Sequence, residues 1–134
     1  MQLADTRTGM EVLDRSQCLE ALGTVPVGRV VMVVGGAPFV VPVNFCVDGE
    51  SVVFRTADGT KLRAAGRGSV AFEADDYDAT TRTGWSVVVH GDAHEIDPPP
   101  AGDGPALDPD PWAGGEKPHW VRIHATSVTG RRVR

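Results

Sequence analysis

Several absences narrow the classes of protein open to this chain of 134 residues. No apolar run approaches the ~20 residues that a membrane-spanning helix needs, so we expect no membrane segment. The first residues form no apolar signal segment, and the two cysteines, Cys18 and Cys46, match no zinc or redox spacing. Free thiols fit a reducing compartment, so we expect a cytoplasmic protein. The net charge of −5 argues against a nucleic-acid partner.

The chain also lacks the short motifs of several enzyme classes. It has no G-x-S-x-G elbow, no G-x-G-x-x-G loop and no complete Walker loop. His90 and His94 are four residues apart, which on a strand is about 13 Å and too far for one metal ion. We therefore predict no metal site, and no residue can be named as catalytic from these patterns.

Valine dominates what is present, with twenty valines against six leucines and two isoleucines. Because β-branched side chains favour strands, this composition predicts a mainly β protein. Asp14 and Gln17 form a capping-box pattern before a short helix that ends at Leu22, and a second short helix is predicted from Thr60 to about Ala65. The predicted strands cover residues 27–34, 38–47, 52–56, 69–74, 83–96 and 119 to about 125. They predict one domain, residues 1–134, that folds as a small six-stranded antiparallel barrel with two or three short helices.

Three polar segments are predicted to lie outside these elements. Residues 75–78 are acidic and read as a turn, and residues 130–134 read as a basic tail. Pro98 to Pro118 holds seven of the ten prolines, which predicts an irregular and mobile surface loop.

The stretch S-V-V-F-R-T-A-D-G-T-K-L-R-A-A-G, from Ser51 to Gly66, predicts an anion site. A strand ends at Arg55 and Thr56, and a helix begins near Thr60 and Lys61. Free backbone N–H groups at a helix N-terminus favour a phosphate. The alternative is an ordinary solvated helix face with surface Lys and Arg.

In sequence order, P-V-N-F, a D-G turn, V-V-F-R-T, G-T-K-L, V-A-F-E and G-W-S-V-V-V-H-G resemble the pyridoxamine 5′-phosphate oxidase-like family. The short flavin-binding split-barrel members, including the nitroimidazole-resistance type, are the most similar. The resemblance covers about residues 27–96 and a W-V-R-I strand at residues 120–123. It implies a split β-barrel that forms a homodimer and binds FMN across the subunit interface.

Carried over by position, the resemblance also implies the cofactor-binding residues. Those at the ribityl and phosphate end are Arg55, Thr56, Thr60 and Lys61. Those along the flavin ring are Val43, Asn44, Trp85, Ser86 and, from the partner subunit, Trp120.

The chain departs from true pyridoxamine phosphate oxidases at two places. Val40 and Phe45 stand where those enzymes carry an Arg and a Lys, and their C-terminal substrate-binding motif is absent. Oxidation of vitamin B6 is therefore not the first expectation. The resemblance implies a flavin-dependent oxidoreductase that acts on an unidentified small substrate. The alternatives are a reductase that uses the deazaflavin coenzyme F420, and a flavin carrier or sensor without turnover.

Overall fold

The computed structural model describes residues 3–5, 9–57, 69–98 and 108–134. These residues form one helix and eight strands. In chain order the elements are β1 (Leu3–Asp5), β2 (Met10–Leu13), α1 (Arg15–Leu22), β3 (Val27–Val34), β4 (Ala37–Asp48), β5 (Ser51–Thr56), β6 (Ser69–Asp78), β7 (Thr83–Ile96) and β8 (His119–Val133).

Six of the strands close into a ring, which confirms the predicted antiparallel barrel. The order is β8-β5-β4-β3-β6-β7, and β7 pairs again with β8. The long strand β4 is shared between two neighbours: residues 37–44 pair with β3, and residues 45–48 pair with β5. The strands β1 and β2 extend the sheet beyond the ring from the edge of β8.

The barrel interior is filled by alternate residues of the strands. Phe54, Phe72 and Ile123 are among its largest fully buried side chains, and Phe45 meets Phe72 edge-on with ring centroids 4.7 Å apart. A Cβ at residue 28 would lie 2.1 Å from the ring of Phe72, so only glycine fits beside that ring. The predicted core face of β4 is confirmed, since Phe45 is buried and its alternate neighbours pack against the core.

The local signals around the helix and the hairpins are confirmed. The Asp14 side chain accepts from the Gln17 N–H, and the Gln17 side chain accepts from the Asp14 N–H, so both halves of the capping box are present. Gly35 has the positive φ of 58° that a tight β3–β4 turn requires. The predicted helix from Thr60 to about Ala65 lies outside the described residues. No helix among the described residues is long and apolar enough to cross a membrane.

Two of the predicted polar segments are strands instead, and those predictions were wrong. Strand β6 continues to Asp78, which pairs with Thr83, so the β6–β7 turn spans residues 79–82. Strand β8 continues to Val133, where it pairs with both β2 and β7. Long-range pairing overrides the local signal of charge, because the outward positions of a strand tolerate polar side chains.

Candidate active site

Arg55 is held in a fixed position at the end of β5. It pairs with Trp120 of β8, and the centre of its guanidinium group lies 5.0 Å from the centroid of the Trp120 ring. Its Nε donates a hydrogen bond of 3.1 Å to the backbone carbonyl of Lys117. A planar cation stacked on an aromatic ring is well suited to bind phosphate, because several N–H donors point in fixed directions.

Asn44 joins two segments of the chain on the outer face of β4. Its Nδ2 donates to the carbonyl of Pro26 over 3.1 Å, and its Oδ1 accepts the backbone N–H of Trp112 over 2.7 Å. Residues 108–118, which we call the strap, are therefore fastened to the barrel by Asn44 near their middle and by Arg55 near their end. The prolines predicted an irregular, mobile loop from Pro98 to Pro118. Residues 99–107 of that segment lie outside the described residues, and the strap makes specific contacts with the sheet.

A cleft of about 360 Å³ lies between Arg55 and the strap. The strap residues that line it are Pro111, Ala113, Gly115, Glu116, Lys117 and Pro118. Lys117 also donates from Nζ to the carbonyl of Gly114 over 3.1 Å, which closes a turn within the strap. The cleft thus has the Arg55 guanidinium on one wall and, on the other, the strap with its two charged residues, Glu116 and Lys117.

The other predicted residues near this end of the barrel are placed differently. The side chain of Val43 is partly buried and packs against the core. Thr56 pairs with His119 at the end of β5. Thr60 and Lys61 lie outside the described residues.

Trp85 and Ser86 line a separate region near the start of β7. Two adjoining clefts of about 550 and 420 Å³ lie there, between the β6–β7 hairpin and the end of β8. Trp85 pairs with Arg132, whereas Trp120 pairs with Ile96 at the other end of β7. Eleven residues of strand separate the two positions, about 36 Å along an extended chain. Within one chain, Trp85 and Trp120 are therefore at opposite ends of the β7–β8 ribbon.

Two features of the Arg55 region were missed in the sequence analysis. The strap carbonyl of Lys117 carries no sequence signal, since a backbone acceptor is available at any residue. His119 Nδ1 lies 2.5 Å from Glu95 Oε1, a side-chain hydrogen bond that joins β8 to β7 beside Thr56. Both residues stand at the ends of predicted strands, but only the pairing of β7 with β8 brings them together.

Two ionisable groups of the outer face have displaced pKa values. Burial, together with the Asp108 and Asp48 carboxylates, raises the pKa of the Cys46 thiol to about 11. Burial and the neighbouring Asp75 carboxylate raise the pKa of Glu73 to about 7, against the opposing effect of Arg29. Among the described residues, no group of three or more His, Cys, Asp or Glu side chains is arranged to hold a metal ion.

The sequence matches a known family over most of its length. The family model described as pyridoxamine 5′-phosphate oxidase covers residues 14–132. The chain belongs to this pyridoxamine 5′-phosphate oxidase family. One relative is an uncharacterised protein of Mycobacterium tuberculosis that is 38% identical over 127 residues. The match covers 90% of this chain and 84% of that protein.

Solved structures agree with this assignment. The FAD binding protein of Mycobacterium smegmatis is 38% identical, with a TM-score of 0.70 over 93% of this chain and 99% of that one. An FAD-binding protein of Mesorhizobium loti is 26% identical, with a TM-score of 0.72 over 93% and 99% of the two chains. The split-barrel architecture implied by the resemblance is thus the fold of this family member.

Proposed function

We propose that this family member binds a flavin nucleotide and uses it in an oxidoreductase reaction on a small substrate. The observation that carries the proposal is the Arg55 guanidinium, which is fixed between the Trp120 ring and the Lys117 carbonyl beside an open cleft. The similarity to the M. smegmatis FAD binding protein extends over nearly the whole of both chains and supports the same class of ligand.

The residues around Arg55 fit the phosphate end of a flavin nucleotide. Arg55 has five N–H donors, and Nε is the donor bound to Lys117, so the guanidinium remains suited to an anion. Thr56 and, by the resemblance, Thr60 and Lys61 would add donors to the same phosphate. A bound flavin supplies the electron transfer, so the protein needs no nucleophile of its own and acts by binding, orienting and shielding the ring.

The first experiment measures affinity for riboflavin, FMN, FAD and the deazaflavin coenzyme in parallel, by fluorescence titration of ligand-free protein. If Arg55 binds a phosphate, each charge-assisted hydrogen bond contributes about 1.5–3 kcal/mol. Replacing Arg55 by Ala should then weaken FMN and FAD binding about ten- to a hundredfold and leave riboflavin binding nearly unchanged. Lys61, which the resemblance assigns to the same phosphate, is expected to behave in the same way when it is replaced by Ala.

Arg15 offers a matched control for the Arg55 substitution. Like Arg55, it is an arginine whose guanidinium contacts distant segments of the chain. Its Nε donates to the Glu50 carboxylate over 2.8 Å, and its Nη2 donates to the backbone carbonyl of Ala125 over 3.5 Å. Arg15→Ala should leave all four affinities unchanged. Equal binding of riboflavin and FMN by the wild type, or equal effects of the two Arg variants, would overturn the phosphate assignment.

Turnover decides between an oxidoreductase and a flavin carrier or sensor. The flavin-loaded protein is mixed anaerobically with NADH or NADPH, and the flavin absorbance near 450 nm is followed before and after an electron acceptor is added. Catalytic bleaching and recovery support the oxidoreductase. A bound flavin that no donor reduces would support the carrier, and binding of the deazaflavin alone would support the deazaflavin-dependent reductase.

A further inference from the structure

Lys117 of the strap contributes to the cleft both through its backbone and through its side chain. Its carbonyl accepts the hydrogen bond of 3.1 Å from Arg55 Nε, which fixes the guanidinium beside the cleft. Its side chain lines the same cleft of about 360 Å³, and the residue is half-buried. One residue of the strap therefore positions the first cation of the cleft and supplies a second.

A turn within the strap holds the Lys117 ammonium group. Its Nζ donates to the Gly114 carbonyl over 3.1 Å, and Gly115 inside the turn has a φ of 91°, a conformation that favours glycine. An ammonium group has three N–H donors, so the bond to Gly114 uses one of the three. The turn thus restrains the ammonium group and leaves it able to donate to an anion.

The charges that line the cleft favour an anionic ligand group. Arg55 and Lys117 bring two positive charges to one small cleft, and an anion between them relieves their mutual repulsion. Glu116 lines the cleft as well, but it is exposed, so water and salt screen its carboxylate. The oxygens of a phosphate point in several directions, so one phosphate can accept hydrogen bonds from both cations.

We propose that Lys117 is a second cation for the ligand's phosphate in this cleft, and that Glu116 makes the cleft select against a doubly charged phosphate. The inference rests on the proposed function, in which Arg55 binds a phosphate of a flavin nucleotide. FMN carries a phosphate monoester, whose charge at pH 7 is about −1.5 to −2. Each phosphate of the FAD diphosphate carries a single negative charge. The Glu116 carboxylate repels the FMN phosphate more strongly, so it favours FAD over FMN.

The first test measures the affinity of the ligand-free protein for riboflavin, FMN and FAD. Lys117→Ala removes the ammonium group but keeps the backbone carbonyl that holds Arg55, so it separates the two contributions of the residue. It should weaken FMN and FAD binding about tenfold and leave riboflavin binding nearly unchanged, and Lys117→Arg should retain most of the affinity. A strap that is merely loosened would weaken the binding of all three ligands equally, and that result would overturn the inference.

Glu116→Gln tests the selectivity of the cleft for the charge of the phosphate. The variant should bind FMN about two- to fivefold more tightly than the wild type, with a smaller gain for FAD. Glu20→Gln is the matched control, because Glu20 is an exposed glutamate of α1 that does not line the cleft. An equal gain for FMN and FAD, or the same effect in the two Gln variants, would overturn the selective role of Glu116.

The second test observes the lysine directly by NMR, because Lys61 and Lys117 are the only lysines in the sequence. Reductive methylation with isotope-labelled formaldehyde gives each lysine a resonance and keeps its positive charge. Lys117→Arg identifies the resonance that belongs to Lys117. This resonance should shift when FMN, FAD or inorganic diphosphate is added, and it should shift little with riboflavin. A resonance that none of the three phosphate-bearing probes moves would overturn the inference.

The two tests distinguish a failure of this inference from a failure of the proposed function. If Arg55→Ala weakens FMN and FAD binding and Lys117→Ala does not, the second cation is refuted and the phosphate assignment of Arg55 is kept. If inorganic diphosphate moves the Lys117 resonance but the protein binds no flavin, the proposed function is refuted and the anion cleft is supported.

Discussion

Replacing Asn44 by Ala tests whether this side chain positions the strap. The substitution removes the bond that Nδ2 donates to the Pro26 carbonyl and the bond that Oδ1 accepts from the Trp112 N–H. We expect the strap to loosen from the outer face of β4 while the barrel remains folded.

The magnitude follows from what each broken bond leaves behind. The Pro26 carbonyl still accepts from the Phe45 N–H over 3.4 Å, so it keeps a partner. Trp112 is exposed, and water replaces the lost acceptor of its N–H. Neither group is left buried without a partner, so each bond counts at its ordinary net value of about 0.5–1.5 kcal/mol. The free energy of unfolding should fall by about 1–3 kcal/mol, the sum of the two bonds.

Two measurements check this expectation. Urea denaturation gives the free energy of unfolding, and hydrogen exchange at the Trp112 amide reports directly on the bond to Asn44. Asn44→Asp is the graded control, because a carboxylate still accepts from the Trp112 N–H but cannot donate to Pro26. Asn44→Ala with unchanged stability and unchanged exchange at Trp112 would refute the positioning role.

Three further predictions concern the sheet and its ionisable groups. In Gly91→Ala the new Cβ would lie 2.0 Å from the His124 carbonyl oxygen, so β7 and β8 must separate. Thermal denaturation should show that the free energy of unfolding falls by about 1–3 kcal/mol, and an unchanged midpoint would contradict the close approach. Because the pKa of Glu73 is raised from 4.5 to about 7, the stability linked to its protonated form is complete below about pH 4.5 and is lost as the pH rises through about 7. Glu73→Gln should therefore gain stability relative to the wild type between pH 5 and pH 8, and a difference in unfolding free energy that stays constant with pH would argue against the shift. With the pKa of Cys46 raised to about 11, little thiolate is present at pH 8, so its reaction with a thiol reagent should be slow. The reaction should become faster in Asp108→Asn, and equal rates in the variant and the wild type would exclude an effect of that carboxylate.

Local sequence patterns were sufficient for much of the fold. The alternation of Phe39 to Val47 identified the core face of β4, because successive side chains of a strand point to opposite sides. The capping box at Asp14 and the glycines after β3 marked the ends of elements, because they satisfy needs of the nearby backbone. The ordered series of family motifs predicted Arg55 as a cofactor-binding residue. Its guanidinium lies beside a cleft, and its part in binding stays a prediction.

Only the tertiary structure decided the features that depend on residues distant in sequence. The strand character of Asp78 and Arg131 comes from their pairing with β7, which nothing in their own charged neighbourhoods indicates. The contact of Asn44 with Trp112 spans 68 residues, and that of Arg55 with Lys117 spans 62. Such contacts are made by closing the barrel, since a local pattern specifies which face a side chain occupies but not which segment crosses that face.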